Sequence, residues 1–245
     1  AQIDRIIEIA AIYGIPVIED ASEALGSVYK GRKVGTFGDI GILSFNGNKI
    51  ITTSSGGAMI SSKEEWIKKA KFLATQARDS APYTQHSHVG YNYRMSNICA
   101  SIGRGQMEVL QLRIYQRRKN AINYKRYLRS IPAIQFHKEP NENYFSNHWL
   151  TAITIGEEEG VMKNEDIRLA LERENIETRP LWKPMHLQPV FALTPFYGDG
   201  TSDRLFRKGL CLPSGSNLTE YEIRTVIKKI KSCFVSPPAV INTGI

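Results

Sequence analysis

The chain has 245 residues, 42% hydrophobic and 23% charged, with a formal charge of +8; this mixture excludes a disordered or fibrous protein and leaves room for one large domain or two modest ones. No apolar run approaches the ~20 residues of a membrane span, and the opening AQIDRIIEIA lacks a signal peptide's layout, so a cytoplasmic protein with no membrane partner is expected. Cys99, Cys211 and Cys233 lie far apart without CxxC spacing, which points to reduced packing residues, while the positive charge favours anionic partners: nucleic acid, phosphorylated metabolites or an acidic surface.

The chain opens without Met, inside a helical pattern: Ile3, Ile6, Ile7, Ala10 and Ala11 fit one apolar face and Gly14 ends it. A protein lacking an N-terminal part is therefore expected. PVIED (16–20) reads as a short buried strand, IGILSFN (40–46) as a second and GGAMIS (56–61) as a third. Ser62, with Glu65 three residues later, predicts a capping box for a helix carrying Trp66, Ala70, Leu73 and Ala77. Helix, strand, strand, strand, helix implies an open α/β sheet.

From about 95 to 129 the spacing predicts a long helix. Its latter part, RIYQRRKNAINYKRYLR (113–129), holds seven basic residues and no acid, which reads as a solvated helix face; exposed aromatics are not expected to interleave it in a nucleic-acid pattern. HWLTAITI (148–155) then predicts a strand, KNEDIRLALEREN (163–175) a helix, LCLPSG (210–215) a strand and TEYEIRTVIKKIKSCF (219–234) a last helix. Between them, 178–191 is a loop rich in Pro, Trp and His. The expected organisation is 1–112 in a larger domain, 113–235 as linking helix and small domain, and 236–245 as a tail.

Asp20 and Glu23 follow the first strand, and Lys49 follows the second. In open α/β sheets the carboxyl ends of strands face the ligand crevice, so these groups can converge there. Small polar residues and glycines around a lysine suit a phosphate-bearing cofactor whose aldehyde meets the amine. Pyridoxal phosphate needs such a lysine, a carboxylate against its ring nitrogen and donors for its phosphate. Taken singly, a surface lysine and a helix-capping or solvated aspartate remain open readings. Lys49 does not satisfy the GxxxxGK[ST] phosphate loop, and no GxGxxG occurs. His86 and His88 have no nearby carboxylate or cysteine to complete a metal set, so no metal is expected.

VIEDASEALGS (17–27), GTFGDIGILSFNGNKIITTSSGGAMI (35–60) and GYNYRMSNICASIGRGQMEVL (90–110) together resemble the DegT/DnrJ/EryC1/StrS family of sugar aminotransferases. ETRPLWKPMH (177–186) and KGLCLPSG (208–215) extend the resemblance to about residue 235. It implies a pyridoxal-phosphate-dependent transferase of fold type I, with a three-layer α/β/α large domain, incomplete at its N-terminus, and a smaller C-terminal α+β domain. By resemblance Lys49 is the Schiff-base lysine, Asp20 the pyridinium partner and Ser44 a phosphate ligand. Glu23, where many members carry Gln or His, orients the cofactor. Asn92 reaches the phosphate of the neighbouring subunit, implying a homodimer with shared sites, and Arg179 and His186 line the sugar-nucleotide pocket. SFNGNKIITTS with ETRPLWKPMH is most similar to members that aminate UDP-4-keto-6-deoxy-N-acetylglucosamine, with glutamate as donor, on the route to bacillosamine. The alternatives are a GDP- or dTDP-4-keto sugar, or a cofactor-binding protein with a regulatory or interaction role.

Overall fold

The computed structural model describes residues 1–156 and 162–235; the tail expected at 236–245 lies outside them. The chain forms two compact units, one of Ala1–Tyr115 with Glu139–Trp149, the other of Gln116–Lys138 with the chain from Leu150 onward.

The first unit begins with α1 (Ile3–Ile12). Gly14, at φ +61°, closes it: the Gly14 and Ile15 N–H groups return to the carbonyls of Ala11 and Ala10, which only a left-handed residue allows at low cost. Ile3 is the helix's buried residue, whereas Ile6, Ile9 and Ile12 are exposed. A three-stranded sheet follows in the order β1 (Ile18–Asp20), β4 (Ile40–Ser44), β5 (Gly57–Ile60), with β1 parallel and β5 antiparallel to β4. The connection from β1 to β4 holds a hairpin, β2 (Val28–Tyr29) and β3 (Arg32–Lys33), which the sequence pattern does not reveal. Its third strand, β7 (Tyr144–Phe145), arrives from far along the chain. Gly41 is required on β4, because a Cβ there would lie 1.9 Å from the Gly35 carbonyl oxygen.

α2 (Glu64–Ala74) is capped at Lys63, and the Ser62–Glu65 capping box expected there does not form. The Ser61 hydroxyl instead accepts the Lys63 N–H at 3.1 Å and donates to the Asp39 carbonyl, while the Lys63 ammonium lies 2.7 Å from the Asp39 carboxylate. These ties to the start of β4 fix the entry to the helix one residue later than the pattern suggests. The expected long helix is two: α3 (Asn97–Glu108), capped by Ser96, and α4 (Leu110–Leu128), separated at Val109.

The second unit contains a four-stranded antiparallel sheet, β6 (Ile134–Phe136), β8 (Thr151–Ile155), β10 (Gly209–Leu212) and β9 (Arg179–Pro180) in that order. β8 alternates buried Thr151, Ile153 and Ile155 with partly exposed neighbours, and every residue of β10 is buried. α5 (Asn164–Glu172) and α7 (Glu220–Val235) cover this sheet through Ile167, Leu171, Ile223 and Ile230. α6 (Thr201–Lys208) leads into β10. The basic run of α4 is not uniformly solvated: Arg117 is buried and donates to the Ser214 carbonyl at 3.2 Å, and neighbouring Asn120 donates to the Gly215 carbonyl at 2.8 Å. Burial pushes the Tyr124 hydroxyl up from its ordinary value. Among the described residues no helix is long and apolar enough to cross a membrane.

Candidate functional site

β1 and β4 run parallel in the register Asp20 to Ile42, so Asp20 and Ser44 end adjacent strands at the same sheet edge. Strand alternation sends Glu19 and Asp20 to opposite faces. Glu19 accepts the N–H groups of Gly35, Phe37 and Gly38, which makes it a structural clasp on the loop before β4. Asp20 is left for the other side, where its Oδ1 accepts the Ser22 hydroxyl and, at 3.1 Å, the Ser22 N–H. These hydrogen bonds, with a smaller attraction from the Lys49 ammonium, hold the Asp20 carboxyl below the usual range against an opposing effect of burial.

Lys49 sits in a turn rather than on a strand. Its N–H donates to the Asn46 carbonyl at 3.0 Å, and the Phe45 carbonyl accepts both the Thr53 N–H and the Thr52 hydroxyl, closing the loop 45–53. Ile50 and Ile51 are buried just beyond the lysine. These apolar residues thus anchor a loop. The Lys49 side chain is 12% exposed, and its Nζ donates to Glu23 Oε1 at 3.1 Å. Asp20, Glu23 and Lys49 therefore form one constellation at the carboxyl ends of two parallel strands.

The other expected residues are placed elsewhere or more loosely. Ser44 Oγ accepts the Asn46 N–H at 3.5 Å, a contact at the outer limit of a hydrogen bond. Asn92 is exposed and lies opposite Thr75 in an isolated antiparallel bridge, and the rings of its two chain neighbours, Tyr91 and Tyr93, stack on each other. Arg179 and His186 belong to the second unit. Arg179 is an exposed β9 residue whose Nε donates to Glu177 Oε1 at 2.7 Å. His186 is stacked on Phe196 at 3.7 Å between centroids, and its Nε2 lies 2.7 Å from Asp203 Oδ1.

The sequence reading missed two residues beside Lys49. The strand expected at 148–155 begins only at Thr151, because His148 adopts φ +47° and turns the chain. The preceding Asn147 is buried, and its amide donates to the carbonyls of Glu23 at 2.9 Å and Leu25 at 3.0 Å. Trp149 follows, its ring centroid 4.3 Å from Lys49 Nζ and its indole N–H donating to the Asn48 carbonyl at 2.7 Å. Nothing local in the sequence points to a partner 101 residues away. Asp203, the neighbour of His186, was likewise hidden in a helix that the periodicity did not predict.

The model of the DegT/DnrJ/EryC1/StrS aminotransferase family matches residues 1–231. The chain is 48% identical over 238 residues to the "Putative pyridoxal phosphate-dependent aminotransferase EpsN" of Bacillus subtilis (strain 168), covering 96% of the chain and 60% of that protein. It is 36% identical over 223 residues to the GDP-perosamine synthase of Vibrio cholerae, covering 91% of the chain and 60% of that protein. Among solved structures, Helicobacter pylori PseC, an aminotransferase involved in the biosynthesis of pseudoaminic acid, matches with a TM-score of 0.87 at 20% identity, over 96% of the chain and 63% of its own. The chain thus spans about 60% of the length of these curated relatives, and it shares the α/β fold of the aminotransferase structures, as the type I expectation required. It belongs to the DegT/DnrJ/EryC1/StrS aminotransferase family.

Proposed function

We propose that the protein is a pyridoxal-phosphate-dependent aminotransferase acting on a nucleotide-linked 4-keto-6-deoxy sugar, UDP-4-keto-6-deoxy-N-acetylglucosamine, with glutamate as amino donor, and that it works as a cytoplasmic homodimer. The observation that carries this reading is the convergence of Asp20, Glu23 and Lys49 at the carboxyl ends of β1 and β4. The residues present fit the cofactor. Asp20 is held ionised by Ser22, which suits a partner for a protonated ring nitrogen, and Lys49 presents a primary amine on a rigid turn beside it.

When bound, pyridoxal phosphate supplies an aldehyde that bonds to an amine and a ring that accepts electrons. Asp20 keeps the proton at the ring nitrogen. Lys49 would hold the cofactor through its Nζ and, as a free amine, would move the proton at the reacting substrate carbon. Glu23 takes up the lysine's charge and orients the cofactor edge nearest it. Ser44 would donate its hydroxyl to the phosphate, and Asn92 would donate to the phosphate held by the other protomer. Arg179 and His186 contact the sugar nucleotide, whose diphosphate the chain's positive charge attracts.

Pyridoxal phosphate added to the full chain should give the visible band of lysine-bound cofactor. Borohydride should fix that band to the peptide containing Lys49, Lys49→Ala should abolish it, and glutamate should convert it. A band that persists in Lys49→Ala overturns the reading. A Lys49-dependent band that glutamate leaves unchanged supports the regulatory alternative instead. The 36% identity to GDP-perosamine synthase over 91% of the chain favours a GDP-linked sugar as the second reading; turnover of a GDP-4-keto sugar in preference to the UDP-linked one would select it.

A further inference from the structure

Two loops meet at Lys49, the one after β1 that carries Glu23 and the one after β4 that carries the lysine itself, and a third segment ties them together. Residues 139–149 return to the first unit. There the Asn147 amide holds the carbonyls of Glu23 and Leu25, and its backbone N–H donates to Ser27 Oγ at 3.0 Å. Asn147 Oδ1 accepts the Trp149 N–H at 2.9 Å across His148, whose φ of +47° is a costly backbone state for a residue with a side chain. The result of this turn is the placement of one indole. Trp149 is 7% exposed, its N–H fixes the Asn48 carbonyl next to the lysine, and its ring lies 4.3 Å from the ammonium. The charged groups facing Lys49 are Glu23, by direct hydrogen bond, and Asp20.

We propose that Trp149 is a positioning residue for Lys49: its indole N–H holds the lysine's turn and its ring face holds the lysine's amine, so that the side chain points into the site instead of sampling its many rotamers. This rests on the reading of Lys49 as the cofactor-bearing amine. A four-carbon side chain carries a large rotamer entropy, and a cation over an indole face is the strongest of the aromatic partnerships open to it.

The test is the full chain titrated with pyridoxal phosphate, read by the dissociation constant and by the induced circular dichroism of the visible band per bound cofactor, which reports how rigidly the lysine-bound group is oriented. Trp149→Leu should raise the dissociation constant about two- to fivefold and lower the dichroism. Trp149→Phe keeps a ring but loses the N–H, and should fall between Trp149→Leu and the wild type on both readings. Trp66→Leu, which removes the indole that lies 4.1 Å from the Lys63 ammonium, should move neither. If the wild type gives no Lys49-dependent band, the aminotransferase reading and this assignment fall together. If that band forms and folded Trp149→Leu matches the wild type on both readings, the positioning role alone is overturned. Should Trp149→Leu not fold, Trp149→Phe decides: intermediate values support the assignment, and wild-type values overturn it.

Discussion

Replacing Asn147 by Ala tests whether a single buried amide holds the lysine site together. The side chain is 3% exposed and makes three hydrogen bonds: to the Glu23 carbonyl, to the Leu25 carbonyl and from the Trp149 N–H. Truncation removes all three at once and leaves two partly buried carbonyls and one buried N–H without that partner. With each net hydrogen bond contributing about 0.5–1.5 kcal/mol, and more where a buried group is left unsatisfied, the expected loss is about 2–4 kcal/mol. Urea unfolding of the full chain, followed by near-ultraviolet circular dichroism, measures it. Hydrogen exchange adds a local reading, since the Trp149 N–H should lose protection before those of β8. Asn147→Asp keeps the acceptor for Trp149 but sets oxygen against two carbonyls, so it should cost at least as much as Ala. A loss below about 0.5 kcal/mol for Asn147→Ala would refute the reasoning, because it lies at the level of an ordinary surface substitution.

Three further outcomes follow from the packing and the ionisation. Asp4 is held at about 2, from an ordinary 3.8, first by the hydrogen bond from Lys30 and then by that from Tyr29, whose own hydroxyl is pushed up to about 12 by Asp4. A depressed carboxylate stabilises the folded state above its ordinary value and loses that contribution as pH falls from about 3.8 to about 2; a raised phenol contributes below 10.0 and loses it as pH rises through about 12. Asp4→Asn should therefore flatten both limbs of a pH–stability curve, and phenolate absorbance should show Tyr29 titrating nearer its ordinary value. Gly41→Ala drives a Cβ against backbone and should cost at least ~3 kcal/mol in a thermal melt, whereas Gly105→Ala, with open space around it on α3, should gain about 0.5–1 kcal/mol. Leu210→Ala, at a fully buried position of β10, should cost about 2–5 kcal/mol in urea unfolding.

Much of this architecture was legible because local periodicity and burial coincide. IGILS and TAITI read as strands and are strands, and Gly14 ends its helix by the geometry that glycine alone takes up cheaply. Lys49, Asp20 and Glu23 were legible because strand ends gather side chains from distant sequence at one edge. The misses share a physical cause, which is that a long-range partner overrides a local pattern. Ser62 and Glu65 spell a capping box, yet the ties of Ser61 and Lys63 to Asp39 fix the helix entry first. Arg117 belongs to a basic run that looks solvated, but the Ser214 carbonyl draws it inside. Trp149 reads as strand, and the Asn147 amide turns the chain there to serve loops more than 100 residues earlier.

The strength of the Lys49–Glu23 pair bears on how the lysine could work. Glu23 is 42% exposed, so water screens the attraction, and the pair contributes no more than about 0.2–1 kcal/mol. Trp149 adds a contact of similar size. The lysine's Cα is therefore held by the backbone of the turn, through Phe45, Asn46 and the buried Ile50 and Ile51, while Glu23 and Trp149 direct the amine through weak contacts without clamping it. This division would suit the partner exchange proposed for Lys49: a strong buried ion pair would hold Nζ in place but would cost several kcal/mol to break at every exchange. A lysine fixed at its backbone and loosely partnered at its tip changes partners at little cost while its Cα stays still. Glu23→Gln should accordingly cost no more than about 1 kcal/mol in urea unfolding; a loss of several kcal/mol would show that the tip is clamped after all.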